Sequence, residues 1–355
     1  MFFSRDTCID MVLFSTLAYF DSGHINHNIH ESNPAVKFIQ SGSAQAMTAQ
    51  FSDANHNILV ISFRGTEIPN LSPSPDNQLQ FLREWTRNFD ITLKSADFLF
   101  QTAGPENVHS GWLDGVERLW HRELENVLNL FLQRPGQKKK IFITGHSQGA
   151  GIATLAAAKI MTEVQTLNDN TQVALYAIAA PKVGDLAFVH RMNNLVHSHY
   201  GSFRLSNHND PISFMPPFDS YAVGPGTHYH LSNRTYPEGN VMTVDLKKVA
   251  DEHFFVNDPS LMSFNEIPRV FPIFDPFDIW GHLSVAGASI PVLIWLLNTY
   301  TKVGYIPLFD HFPVGPYIKV VSLDANGREK FRPGYLPSLL GVQQQHFEPA
   351  SSSFV

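Results

Sequence analysis

Ile141-Phe142-Ile143-Thr144-Gly145-His146-Ser147-Gln148-Gly149-Ala150 is the stretch on which the reading of this chain turns. Three lysines lead into Ile-Phe-Ile-Thr, a short apolar run that reads as a buried strand. Gly-His-Ser-Gln-Gly then makes a sharp turn. The alanine-rich segment from Ala150 to Val164 follows, with Leu155 and Ile160 on one helical face. Strand, Gly-x-Ser-x-Gly, helix is the setting of a nucleophile elbow. The glycines belong there because the turn is too tight for side chains against the neighbouring strand and helix. The serine is expected at the tip, with the first N–H groups of the helix open to a developing oxyanion.

Working outward, Ile58-Leu59-Val60-Ile61-Ser62-Phe63 is apolar almost throughout, as expected of a central strand covered on both faces. Ala46 to Phe51 reads as its neighbour across a turn at Asp53-Ala54-Asn55. Apolar residues at helical spacing predict a helix over Leu113 to Gln133, closed by Arg134-Pro135-Gly136. Val173 to Ala179 reads as a strand, Leu186 to Val196 as a helix, and Ser202 to Ser206 as a further strand. Alternation of this kind predicts an α/β fold with a mainly parallel central sheet flanked by helices. Residues 7–20 read as an amphipathic helix, 21–35 as a loop, and 91–108 as irregular. Tyr229 to Tyr236 and Val241 to Leu246 read as a hairpin.

The 68–84 segment carries prolines, serines, Asn and Gln and reads as a long surface loop, of the sort that forms lids. From Phe254 the character changes, and 254–318 is rich in Phe, Pro, Trp and Ile. Leu283 to Leu297 is its most apolar run, but Pro291 interrupts it and it is short of the roughly 20 residues of a membrane span. A buried helix is the first reading, an interfacial helix the second. The expected organisation is one domain over 1–322 and a tail over 323–355.

Composition narrows the function. The chain has 355 residues, 43% hydrophobic and 16% charged, which supports a large core. A net charge of -7 gives no ground for a nucleic-acid partner. A single cysteine, Cys8, excludes an internal disulfide. The apolar start is interrupted by Arg5-Asp6 and Asp10 and reads as a helix of the domain rather than a signal peptide. With no leader or membrane span recognised, a cytoplasmic location and export by a signal-less route both stay open.

A serine hydroxyl is a weak nucleophile and needs a base within reach and a third group to orient that base. In an elbow hydrolase these follow in the order Ser, acid, His. Asp210 suits the acid role, just past a strand and fixed by Pro211; Asp185, after the preceding strand, is its rival. His230, His253, His282 and His311 all lie beyond Asp210. His311, in Phe309-Asp310-His311-Phe312-Pro313, fits a loop ahead of a helix; His282, in Trp280-Gly281-His282-Leu283-Ser284, has a similar setting.

These pieces together resemble one family. Arg64-Gly65-Thr66, Trp85 with Asp90, His109-Ser110-Gly111-Trp112, the elbow, Ala180-Pro181-Lys182-Val183-Gly184, and Asn209-Asp210-Pro211 with Met215-Pro216-Pro217 stand in the order of the class 3 lipases, fungal-lipase-like α/β-hydrolases. His230-Leu231 resembles the family's His-Val-Gly segment, and Asp310-His311 its final Asp-His segment. The likeness covers about 10–250 and is specific as an ordered set. It implies an α/β-hydrolase fold with a Phe/Pro-rich C-terminal elaboration and a nucleophile at Ser147, with Asp210 as acid and His311 as base. It also implies oxyanion donors at Thr66 and Gln148, and a lid after Arg64-Gly65-Thr66. Two departures stand out: the stretch from Asp210 to His311 is long for the family, and Tyr317 is offset; Gly281-His282-Leu283-Ser284 also resembles the family's histidine segment.

The expected reaction is carboxylic ester hydrolysis through an acyl-enzyme, with no metal or cofactor. Acylglycerols are the first-choice substrate and phospholipid acyl esters the second, with transient contact at a lipid interface. An amidase or peptidase on the same triad, and a binding module on an inactive hydrolase scaffold, are the readings from other classes.

Overall fold

The computed structural model describes residues 4–19, 36–53, 55–66, 92–136, 138–167, 170–196, 199, 201–207, 212, 224–225, 227–233 and 244–249. The loop at 68–84, Trp85, Asp90, Asp210, His253, His282, His311, the apolar segment 254–318 and the tail 323–355 lie outside the described residues.

One eight-stranded sheet carries the fold. Its strands are β1 (Val36–Ser41), β2 (Ala44–Ser52), β3 (His56–Phe63), β6 (Lys138–His146), β7 (Gln172–Ile178), β8 (Gly201–Asn207), β9 (Thr227–Asn233) and β10 (Val244–Val249), adjacent in that order. β3, β6, β7, β8 and β9 run parallel. Antiparallel pairs flank them, β1 and β2 on one side and β10 on the other. The remaining strands, β4 (Leu93–Ser95) and β5 (Asn107–His109), form a small ribbon.

The helices are α1 (Arg5–Leu17), α2 (Asp97–Phe100), α3 (Ser110–Leu119), α4 (Glu125–Leu132), α5 (Gln148–Thr166) and α6 (Leu186–Val196). The alternation of each strand sends successive side chains to opposite faces. Leu59, Ile61, Phe63, Ile141 and Ile143 therefore meet α3 and α5 in one core. Ile58, Val60 and Phe142 meet α1 in the other, with Tyr176, Ile178 and Leu205. Two buried faces explain why β3 is apolar without a break. α5 is buried from Gly149 to Met161 almost without interruption, which is why its sequence shows no polar stripe.

α1 is anchored by hydroxyls from the sheet. Ser62 donates to the carbonyl of Phe14 at 2.9 Å, and Thr144 to that of Met11 at 3.2 Å. Gln45 donates to Ala18 just beyond the helix at 3.0 Å. Buried polar side chains in central strands cost free energy unless paired, and these are paired to carbonyls near and beyond the helix's end.

Several elements depart from the sequence expectation. β1 stands where no strand is legible. The irregular reading of 91–108 is overturned by β4, α2 and β5. The helix expected over 113–133 starts at Ser110 and is broken by a π-helical turn, Trp120–Leu124. Among the described residues, no helix is long and apolar enough to cross a membrane.

Candidate functional site

β6 delivers the chain to Ser147 and α5 takes it away. Between them Ser147 adopts φ 61°, ψ -130°, a conformation that a non-glycine residue holds at a cost of about 1–3 kcal/mol. Its surroundings hold it there. The Ser147 N–H donates to Ile178 at the end of β7, 3.0 Å away, and its carbonyl accepts from Ala150 at 2.9 Å. Its hydroxyl does not cap the helix. Ser147 is only 3% exposed.

The glycines of the elbow are there for space. A Cβ at Gly145 would lie 2.2 Å from the Gly149 carbonyl oxygen. One at Gly149 would lie 2.3 Å from the Phe63 carbonyl oxygen and 2.8 Å from the Gly65 nitrogen. The first turn of α5 is thus pressed against the segment leaving β3. That contact brings Thr66 to Gln148, and the Thr66 hydroxyl donates to the Gln148 side-chain carbonyl at 2.9 Å. Gln148 is the first residue of α5, so its N–H has no partner within the helix. Ser147, Thr66 and Gln148 are therefore gathered at one corner of the sheet, at the C-terminal ends of β3 and β6. Such a corner can hold a nucleophile next to donors for a developing negative charge.

Arg64 steadies the loop. Its N–H donates to Gln45 at 3.0 Å, and its guanidinium to the Ser43 carbonyl at 3.1 Å. On the far side of the elbow, Ala179 has φ 52° and donates to Leu205 at 2.8 Å. The buried Arg204 guanidinium donates to the Ala180 carbonyl at 2.6 Å.

Two of the sequence motifs turn out to be clamps. The His109 ring accepts from the Trp112 N–H at 3.4 Å and stacks on the indole with centroids 3.9 Å apart. Trp112 lies against Gly151 of α5, where a Cβ would fall 2.8 Å from the ring. His109 N–H donates to Val183 at 2.9 Å, and Val108 bridges Gly184. The His109–Trp112 and Ala180–Gly184 segments thereby lock β5 and α3 against α5.

Asp185, the rival acid, has its carboxylate engaged. It accepts from the Phe188 N–H at 2.8 Å, capping α6, and from the backbone and side chain of Asn107, each at 3.0 Å. β8 ends at Asn207, three residues before Asp210 in the chain. His230 lies on β9 at a register position opposite Ser206.

Tyr19 and His146 gave no signal in the sequence. The Tyr19 hydroxyl lies 2.9 Å from His146 Nδ1, directly behind the elbow. Burial pushes the Tyr19 phenol well above its ordinary pKa, with the nearby Arg64 charge opposing. A tyrosine at a helix end and the variable residue of Gly-x-Ser carry no local mark of such a contact.

Among the described residues, no group of three or more His, Cys, Asp or Glu is arranged to hold a metal ion.

A family model described as Lipase (class 3) matches residues 60–220. Phospholipase A1-IIbeta of Arabidopsis thaliana is 28% identical over 165 residues, which are 40% of this chain and 39% of that protein. Secreted mono- and diacylglycerol lipase 1 of Fusarium solani is 30% identical over 137 residues, 38% of this chain and 36% of that protein. The chain thus spans about two-fifths of the length of these curated relatives. Among solved structures, lipase II from Rhizopus niveus aligns over 64% of this chain and 80% of its own, with a TM-score of 0.47 and 17% identity.

Proposed function

We propose, from the match of residues 60–220 to the class 3 lipase model, that the protein is a serine-dependent lipase hydrolysing the carboxylic esters of acylglycerols. The observation that carries the proposal is the elbow: Ser147, strained at φ 61°, with Thr66 and Gln148 in contact beside it. In this reading the Ser147 oxygen attacks the ester carbonyl while His311 takes its proton. Asp210 orients the imidazole and stabilises the imidazolium. The N–H groups of Thr66 and Gln148, with the Thr66 hydroxyl, hold the tetrahedral oxyanion. The same imidazole returns the proton to the leaving alcohol, and a water molecule then releases the fatty acid by the reverse use of the same groups. Engagement of the Asp185 carboxylate by three N–H donors favours Asp210 as the acid.

Phospholipid acyl hydrolysis is the second reading, favoured by the phospholipase A1 relatives from Arabidopsis and rice. Either substrate is insoluble, so turnover entails transient contact with a lipid interface. The discriminating assay offers purified protein emulsified di- and triacylglycerol, and phosphatidylcholine vesicles, and follows fatty-acid release. Release from acylglycerols at least about tenfold faster supports the lipase reading. The reverse order supports the phospholipase, and release from neither rejects both.

A further inference from the structure

We infer that Tyr19 is a positioning residue for this site, setting the elbow and the oxyanion loop against each other through His146. The inference rests on Ser147 being the nucleophile and adds a residue just past the N-terminal helix to its machinery.

Three segments meet at the Tyr19 hydroxyl. It lies 2.9 Å from Nδ1 of His146, the residue immediately before the nucleophile, and 3.5 Å from the His146 carbonyl. It also fills the space beside Gly65: a Cβ there would fall 2.1 Å from the phenol oxygen and 2.7 Å from the His146 carbonyl oxygen. Glycine at 65 is thus the condition for the phenol to enter. Once in place, the phenol touches the loop ahead of Thr66 on one side and the elbow on the other.

The phenol is held from behind. Gln45 bonds the Ala18 carbonyl at 3.0 Å, and the Tyr19 N–H donates to Thr16 at 3.1 Å. Ser62 and Thr144 fix α1 itself to the strands that carry Phe63 and Ser147's neighbour His146. Tyr19 is therefore a fixed peg between two parts of the site rather than an appended ring.

Its chemistry suits that use. Because burial raises its pKa, the phenol keeps its proton across the working pH range and always has one to donate. In the tautomer with its hydrogen on Nε2, the His146 ring accepts from the phenol at Nδ1, and the contact holds the ring in one orientation. His146 is 2% exposed, so bulk water does not take the place of the hydroxyl if it is removed. A strained residue persists only when its surroundings over-determine it. The Tyr19–His146 bond and the Ser147–Ile178 bond are two such restraints, one on each side of the elbow.

The test uses the full chain and four variants. Tyr19→Phe should lower kcat about tenfold, the worth of one well-placed hydrogen bond, with KM changed by less than about twofold. The rate at which a fluorophosphonate labels Ser147 should fall in parallel. His146→Leu should match that loss, and the double variant should be no worse than either single one. His146→Gln, which restores an acceptor for the phenol, should recover most of the rate. A purely structural role predicts instead a lower melting temperature with kcat unchanged. Wild-type kcat in folded Tyr19→Phe, additive losses in the double variant, or equal loss in His146→Gln and His146→Leu overturns the inference. If Tyr19→Phe fails to fold, the contrast between the two His146 variants still decides. Ser147→Ala runs alongside: retained hydrolysis there refutes the nucleophile, whereas a dead Ser147→Ala with an unaffected Tyr19→Phe refutes Tyr19 alone.

Discussion

Gly149→Ala is the substitution with the most specific consequence. The added methyl would sit 2.3 Å from the Phe63 carbonyl oxygen and 2.8 Å from the Arg64 carbonyl carbon and the Gly65 nitrogen. Ordinary van der Waals contact begins at 3.4 Å, so the backbone must part by about 1 Å. All three neighbours are backbone, and no rotamer change relieves them. The segment that yields leads straight to Thr66, whose hydroxyl reaches Gln148 at 2.9 Å. A displacement of about 1 Å in a catalytic constellation costs about 10²-fold in rate. Overpacking costs a further 1–3 kcal/mol or about that in stability. Gly151→Ala is the control. Its methyl meets the Trp112 ring at 2.8 Å, a side chain on the opposite flank of α5 from the loop. It should destabilise by a similar amount while kcat in the folded fraction stays within about threefold. The assay is kcat on a soluble short-chain ester, beside a melting curve for each variant. Equal kcat in Gly149→Ala and wild type would refute the reasoning that close apposition of β3 and α5 sets the oxyanion donors.

Other outcomes follow from the same geometry. Asp185→Ala removes the α6 cap and the Asn107 clamp, and should cost about 1–3 kcal/mol by chemical denaturation while the folded enzyme still turns over. Asp210→Ala should do the opposite, losing about 10⁴-fold in kcat with little change in stability; the reverse pattern would move the acid to Asp185. His311→Ala should match Ser147→Ala in lost activity and His282→Ala should not, and the converse would transfer the base to His282. Burial holds the His199 imidazole below its usual pKa, with its bond to the Met161 carbonyl opposing. A neutral group favoured in the folded state contributes stability that is fully present above about pH 6.5 and is lost as pH falls through the lower folded value. His199→Gln should flatten that acid-side loss in denaturation curves taken from pH 8 down to pH 5, and an unchanged slope would contradict it.

The central strands and the elbow were legible because each obeys one dominant rule. β3 and β6 are buried on both faces and read as apolar runs, and Gly145 and Gly149 are required by contacts as short as 2.2 Å. β1 was not legible because its buried positions, Val36 and Ile39, fall three residues apart rather than at the alternation expected of a strand. β4, α2 and β5 are three, four and three residues long, too short for any periodicity to build up. The β9–β10 hairpin was expected, but the second strand is Val244–Val249 rather than 241–246, and apolar residues at 241, 244, 246 and 249 fit both frames. At the site, the Thr66 hydroxyl meets the side chain of Gln148, the residue that follows Ser147. Tyr19 was not expected, because its partner lies 127 residues away and only the folded chain brings them together.

The central claim is that Ser147 is an activated nucleophile. Incubating the purified protein with a fluorophosphonate and mapping the adduct by peptide mass spectrometry tests it most directly. One adduct per chain is expected, on the Ser147 peptide, with ester hydrolysis lost in proportion to labelling and no adduct in Ser147→Ala. Full hydrolytic activity in a folded Ser147→Ala, or an activity-abolishing adduct on another residue, would contradict it.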